Sequence, residues 1–262
     1  MRKYLTGGLA KRVSPNGMPN INNLIYLTMT PISEAYNIDC MDYMRTIPDG
    51  YFDLAVVDPP YGGANSGVGG GRRFGGWFDR YKTSNENRRH MGDQVRKKII
   101  GWDEAPGPEY FAELFRVSKN QIIWGANYFN MPPTRCFIVW RKLSISEKFS
   151  MAMAEYAWTS FASNAKVFEC VPQGTRKNPR IHPTQKPIKL YEWIYRMYAK
   201  TGDKILDTHL GSGSSRIAAY RMGLDFVGCE IDKEYFDKQE LRFMAECLGE
   251  PPAPPTIQQT LF

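Results

Sequence analysis

The sequence predicts an α/β protein built on a mostly parallel, twisted sheet with helices on both faces. Short, near-continuous apolar runs at 54–57, 120–124, 136–140 and 204–206 alternate with helix-like stretches. Strands that read apolar throughout are those covered on both faces, as parallel strands are. Residues 204–222 also read strand, glycine loop, helix, and residues 224–232 supply the next strand. With 262 residues, 42% of them hydrophobic, the chain can bury one full core, and one domain with insertions is expected.

In chain order, residues 1–33 are basic, hold no acidic residue and are rich in Gly, Pro and Asn, so a loosely ordered arm is expected. The single domain is expected over 34–250. A strand at 34–38 runs into Asp39-Cys40, and 41–47 reads as a short helix before the turn signal Pro48-Asp49-Gly50. Asp39 can cap that helix or face a ligand, and the two roles are compatible. Residues 107–117 read as an amphipathic helix, 120–124 and 136–140 as buried strands, and 154–161 as a late strand that alternates. Residues 251–255, Pro-Pro-Ala-Pro-Pro, form a stiff spacer that opens the tail 251–262.

Two motifs carry chemistry. Asp58-Pro59-Pro60-Tyr61 follows the apolar run 54–57. The prolines lack N–H donors and fix φ near −65°, leaving backbone carbonyls and the Asp58 carboxylate as acceptors beside an aromatic ring. A flat base bearing an amino group satisfies such a set. The second motif is Asp207-Thr208-His209-Leu210-Gly211-Ser212-Gly213-Ser214. Its glycines allow close backbone approach at a helix start, and Glu230 follows about twenty positions on, the spacing that sets a carboxylate on ribose hydroxyls. The Gly-Lys-Ser/Thr ending of a phosphate loop is missing, and there is no third glycine for a dinucleotide. A nucleoside without a pyrophosphate is the expected ligand, and S-adenosylmethionine fits.

With His182-Pro183-Thr184-Gln185-Lys186-Pro187 between the two motifs, the chain resembles the β-class amino-methyltransferases of DNA over roughly residues 36–245. In that class the catalytic turn precedes the cofactor loop, as here. The resemblance implies a Rossmann-like methyltransferase fold with this circularly permuted motif order, and methyl transfer from S-adenosylmethionine to the N6 amino group of a flipped adenine. Cytosine-amino enzymes of the class more often carry Ser in place of Asp58. Cytosine N4, RNA and protein amide nitrogens stay as alternatives. Asp58, Pro59, Pro60 and Tyr61 are the implied catalytic residues. The implied cofactor contacts are Asp39, Cys40, Asp58, His182, Pro183, Thr184, Lys186, Asp207, His209, Gly211, Ser212, Gly213, Ser214, Glu230 and Ile231. Thr208-His209 stands where the family has Pro-Phe, and only residues 163–180 are left for a target-recognition segment. Asn127, in a loop resembling one beside the family's catalytic turn, reads as a turn residue or an orienting one.

The formal charge is +7, and the Gly-rich insertion at 62–100 alone carries nine Lys/Arg against three acidic residues, with Phe74, Trp77, Phe78 and Tyr81 interleaved. That composition suits a cationic segment on double-stranded DNA, or a solvated insertion. Arg72, Arg73, Arg88, Arg89, Arg176 and Lys177 are the expected DNA contacts. Gln258, Leu261 and Phe262 resemble the Q-x-x-L-F peptide that bacterial proteins insert into the sliding clamp. Five scattered cysteines without a C-x-x-C pair, and three histidines without ligand spacing, give no reason to expect a structural metal. No run of apolar residues reaches membrane length, so a cytosolic monomer or homodimer is expected.

Overall fold

A computed structural model describes residues 30–62, 104–148, 152–172 and 180–249. These hold eight strands in one sheet: β1 (Ser33–Tyr36), β2 (Phe52–Val57), β3 (Ser118–Trp124), β4 (Phe137–Lys142), β5 (Ala154–Thr159), β6 (Lys166–Cys170), β7 (Lys204–Asp207) and β8 (Asp225–Cys229). Their spatial order is β1-β8-β7-β2-β3-β5-β4-β6. The first five neighbours pair in parallel, β5 runs antiparallel to both β3 and β4, and β6 is parallel to β4. Leu54 and Ala55 of β2 lie opposite Ile205 and Leu206 of β7. The two chemical motifs therefore leave the sheet side by side, at the same edge, although about 150 residues separate them in the chain.

Alternation along β2 builds two cores. Leu54 and Val56 face one side, where they join Ile122, Trp124, Ile138 and Trp140 under α3 (Ile188–Tyr198) and α4 (Ser214–Arg221). Ala55 and Val57 face the other, with Ile123 and Leu206, covered by α1 (Cys40–Met44) and α2 (Pro108–Val117). Period-two side chains in a sheet clothed on both faces explain why these strands read as unbroken apolar runs. α2 starts at a proline, whose missing N–H is no loss there, and buries Tyr110, Leu114 and Val117 at helical spacing. α4 begins directly after Gly213 and is buried from Ser214 to Ala219, a stretch filled by small side chains, Ile217 and one paired arginine. α5 (Lys233–Phe243) is capped by Asp232, which accepts from the Glu234 and Tyr235 N–H groups.

Several expected boundaries move. β1 spans Ser33–Tyr36 rather than 34–38, and Ile32 just before it is tied to β8: its N–H donates to Asp225 Oδ1 at 2.9 Å, and its carbonyl accepts from Phe226 N. α1 stops at Met44, where i→i+3 bonds from Thr46 and Ile47 tighten the chain before Pro48. β3 starts two residues early because α2 runs straight into it. Lys166–Cys170, inside the expected target-recognition segment, is the edge strand β6. Arg72, Arg73, Arg88, Arg89, Arg176, Lys177, Gln258, Leu261 and Phe262 lie outside the described residues.

Arg216 ties α4 to the rest. Its guanidinium donates to Ser33 Oγ and to the Ser33 carbonyl, to Gln239 Oε1 and, at 2.6 Å, to Glu240 Oε1, and it lies 3.9 Å from the Phe243 ring centroid. Its side chain is 6% exposed, so loss of the carboxylate strands a buried charge. Glu240→Ala is expected to destabilise the fold by about 2 kcal/mol, read as a lower midpoint in urea, with the slope unchanged.

Candidate active site

The parallel strands β1, β8, β7, β2 and β3 all end at one edge, and a cavity of about 1000 Å³ opens there. It lies where strand order reverses, since β7 leads to β8 on one side and β2 leads to β3 on the other; such a switch point is the usual ligand crevice of an open α/β sheet. Strand order divides it. The β1-β8-β7 side presents Asp39, Cys40, Gly211, Ser212, Glu230 and Ile231; the β2-β3-β5-β4 side presents Asp58, Tyr61, Gly125, Glu155 and Lys142. Six carboxylates line the cavity, those of Asp39, Asp58, Glu104, Glu155, Glu230 and Asp232, against the cations Lys142, Arg180 and Lys186. In a chain of net charge +7, that excess of acid favours a cationic ligand.

Asp58 sits at the head of β2 with both oxygens engaged. Oδ1 accepts from the Tyr61 hydroxyl at 2.5 Å, and Oδ2 accepts from the Lys186 ammonium. The Tyr61 ring stacks on Tyr128 at 4.9 Å between centroids and meets Phe129 edge-on. Burial, followed by the charge of Asp58, raises the Tyr61 pKa well above its usual value, so the phenol stays a donor. Gly125 makes this seating possible. It has φ +67°, and a Cβ placed on it would fall 2.0 Å from Tyr61 Cε1.

Lys186 is 3% exposed and also lies 3.1 Å from Glu155 Oε2, while Lys142 Nζ lies 2.5 Å from Glu155 Oε1. Burial works to lower the Lys186 pKa, but Asp58 and Glu155 together raise it. Burial likewise works to raise Glu155, yet Lys186 and Lys142 hold it below the ordinary carboxylate value. Two carboxylates and two ammonium groups thus balance within the wall. Lys186, expected among the cofactor contacts, lines the cavity, and its ammonium is bound to Asp58. In the sequence Glu155 reads only as part of a strand, and Lys142 lies two residues beyond one.

On the other side, the glycine loop turns at Gly211 (φ +51°) and Gly213 (φ +72°). Glu230 reaches back under it: Oε2 accepts from Gly211 N at 2.8 Å and Oε1 from Asp232 N at 2.9 Å. Asp39 caps α1 through Met41 N at 2.7 Å and lines the cavity as well. His182, Pro183 and Thr184 also line it, the His182 ring packing edge-on against Tyr235 and lying 3.4 Å from where a Gly211 Cβ would be. Asp207, Gly213 and Ser214 do not line it. Asp207 is 2% exposed and lies behind the loop, where it accepts from the Ser215 hydroxyl and from His209 N. Gly213 packs against Gln239, and Ser214 Oγ bonds Ser212 and Arg242. Asn127 lies in a 3-10 turn (Ala126–Tyr128) at the rim.

Residues 123–240 match the family model described as DNA methylase. The chain is 45% identical over 65 residues to the type II methyltransferase M2.DpnII of Streptococcus pneumoniae, a stretch covering 25% of this chain and 24% of that protein. To M2.MboI of Moraxella bovis, another type II methyltransferase, it is 23% identical over 79% of this chain and 86% of that one. Among solved structures, the PvuII DNA methyltransferase, titled cytosine-N4-specific, superposes with a TM-score of 0.54 at 13% identity, covering 82% of this chain and 87% of that one. This likeness shows the shared fold. The Asp58 turn lies outside the matched 123–240 stretch and is joined to it by β2, which pairs with β3 and β7.

Two outcomes follow from this geometry. Gly125→Ala drives a methyl group into the Tyr61 ring, and kcat/KM is expected to fall roughly 100-fold, about 2.7 kcal/mol, with affinity for the methyl donor held within about threefold. The second concerns His209, whose ring accepts or donates at Thr208 Oγ1 over 2.9 Å and whose pKa burial lowers to about 4. A base depressed in the folded state contributes stability above its unfolded pKa, near 6.5, and loses it as pH falls through about 4. Asp207, raised to about 7 by burial, works in the opposite direction over the same range. The difference between wild type and His209→Asn isolates the histidine: the stability gap should shrink by up to roughly 3 kcal/mol between pH 7.5 and pH 4, measured by urea unfolding.

Proposed function

We propose that the protein transfers a methyl group from S-adenosylmethionine to the exocyclic amino nitrogen of a base in double-stranded DNA, at N6 of adenine. The observation that carries this reading is the shared cavity, in which the Asp58 turn and the Gly211 loop line adjacent walls. The match of residues 123–240 to the DNA methylase model and likeness to two type II methyltransferases support DNA as the substrate. The preference for adenine rests on Asp58, the position at which cytosine-amino enzymes of the class more often carry Ser.

The residues present fit the donor. Asp39 and Glu230 bring carboxylates to the cavity for ribose hydroxyls, Ile38, Leu210 and Ile231 offer apolar surface to a purine, and the backbone of Gly211 and Ser212 lets an amino-acid tail lie close. When bound, the donor supplies an electrophilic methyl on a positively charged sulfur, which the acidic lining favours. The chain's own part is to present the nucleophile. A base paired in duplex DNA must be rotated out at a cost of a few kcal/mol, and stacking on the Tyr61–Tyr128 pair, worth roughly 1–3 kcal/mol, offsets some of it. Asp58 and the Pro59 carbonyl accept the amino hydrogens, turning the nitrogen lone pair toward the β7 side. Orientation of this kind supplies the rate, because no strong base is needed before transfer.

The basic insertion is tied to the same place. Gly62 and Ala105, at its two described ends, touch, since a Cβ on Gly62 would lie 3.1 Å from Ala105 Cβ, and Glu104 lines the cavity. Arg180 and Pro172, which flank residues 173–179, line it too. Both basic segments thus start and end at the mouth, where phosphates of a bound duplex would pass.

The test is methylation of duplex DNA, tRNA and protein at equal concentration, followed by digestion of the DNA to nucleosides and mass analysis. N6-methyldeoxyadenosine is expected from duplex DNA; N4-methyldeoxycytidine would overturn the adenine assignment, and label in tRNA or protein alone would overturn the DNA reading. Asp58→Ala should lower turnover by at least about 1000-fold while donor binding stays measurable by calorimetry.

A further inference from the structure

Glu155 stands out among the lining residues because the transfer just described gives it no task, yet it is placed with care. It projects from β5 between two ammonium groups. Lys142 comes from the end of β4, the antiparallel neighbour in which Trp140 lies opposite Glu155. Lys186 comes from the loop ahead of α3 and lies between Glu155 and Asp58, 5.4 Å from the centroid of the Trp124 ring. A lone carboxylate on an otherwise apolar strand wall is costly, and it is tolerated here only by its pairs.

We propose that Glu155 is a positioning residue that shares Lys186 with Asp58 and takes the lysine over while Asp58 holds the amino group of the base. The inference rests on the methyl-transfer reading above. An ammonium as deep as that of Lys186 cannot be left without a counter-charge. If Asp58 were its only partner, any move of the carboxylate toward substrate would strand it. With Glu155 Oε2 already 3.1 Å away, Lys186 shifts to a waiting acceptor, and Asp58 Oδ2 is released to the amino hydrogens. Lys142, at 2.5 Å from Glu155 Oε1, keeps that acceptor oriented and holds the set of charges neutral throughout. Asp58 can therefore be held rigid before the base arrives and be free once it does.

Lys186 pairs with Asp58 from the turn after β2 and with Glu155 from β5, and those two carboxylates in turn interact with Tyr61 from the same turn, Lys142 from β4 and Tyr191 from α3. Both tyrosines are held far above their ordinary pKa by burial and stay neutral in the working range. In Glu155→Gln, Lys186 has only Asp58, and release becomes easier only when the lysine loses its proton. At pH 7.5, kcat on duplex DNA should fall about 30-fold, with donor affinity within about threefold, and the deficit should narrow to about fivefold by pH 9.5. Glu155→Asp keeps the charge and should lose less than about fivefold, with the wild-type pH profile. Lys142→Met/Glu155→Leu replaces the outer pair by apolar groups, guards against a misfolded single variant, and should show the same pH-dependent deficit as Glu155→Gln. A kcat within threefold of wild type in both Gln and Met/Leu variants, or an equal loss at every pH that Asp does not rescue, would overturn the proposal. A wild type that methylates no DNA would instead overturn the underlying reading, and the inference with it.

Discussion

The pairing of β2 with β7 is the constraint on which the rest depends. It is a short parallel contact, Leu54 opposite Ile205 and Ala55 opposite Leu206, and a parallel pair sends both chains out of the sheet at the same edge. The catalytic-type turn follows β2 and the glycine loop follows β7, so one register decides that a carboxylate on a rigid turn and a backbone cradle share a cavity. A slip of one residue would exchange the two faces of β2 and put Leu54 and Val56 into the core built for Ala55 and Val57. The cores on the two faces thus protect the geometry of the site.

Electrostatics then sort the cavity's contents. A protein of net charge +7 has concentrated six carboxylates at one sheet edge, and four of them are restrained by different devices. Asp39 is tied by helix N–H groups, Glu230 by the loop it supports, Asp58 by a phenol and an ammonium, and Glu155 by two lysines. Acceptors held like Asp39 and Glu230 need no reorganisation when a ligand arrives, and at Asp58 the one change proposed is the shift of Lys186 to Glu155. Basic segments whose described ends lie at the rim would complement a phosphate backbone outside, so the same chain can present opposite fields to the two ligands it is proposed to hold.

Much of this was legible in the sequence for a physical reason: strands clothed on both faces leave apolar runs, and tight ligand turns need Pro and Gly. β2, β3, β4, β7, β8 and both motifs announced themselves that way. β6 did not, because an edge strand with Lys166, Glu169 and an exposed Val167 carries neither an apolar run nor a clean alternation. Gly125 did not stand out, since its need for a missing Cβ comes from Tyr61, more than sixty positions earlier. Glu155 did leave a signal, a single charge within Ala154-Glu155-Tyr156-Ala157-Trp158, but its partners Lys142 and Lys186 are brought to it only by sheet pairing and the loop before α3. Asp207 misled in the other direction: it sits in the motif, yet burial behind the loop gives it a structural task.

The most direct measurement is a crystal structure of the protein with S-adenosylhomocysteine and a duplex that carries its methylation site. The account predicts one extruded adenine with its amino nitrogen in hydrogen-bond contact with Asp58, and the cofactor's sulfur facing that nitrogen from the Gly211 side of the same cavity. A cofactor bound elsewhere, or an extruded base that does not reach Asp58, would contradict it.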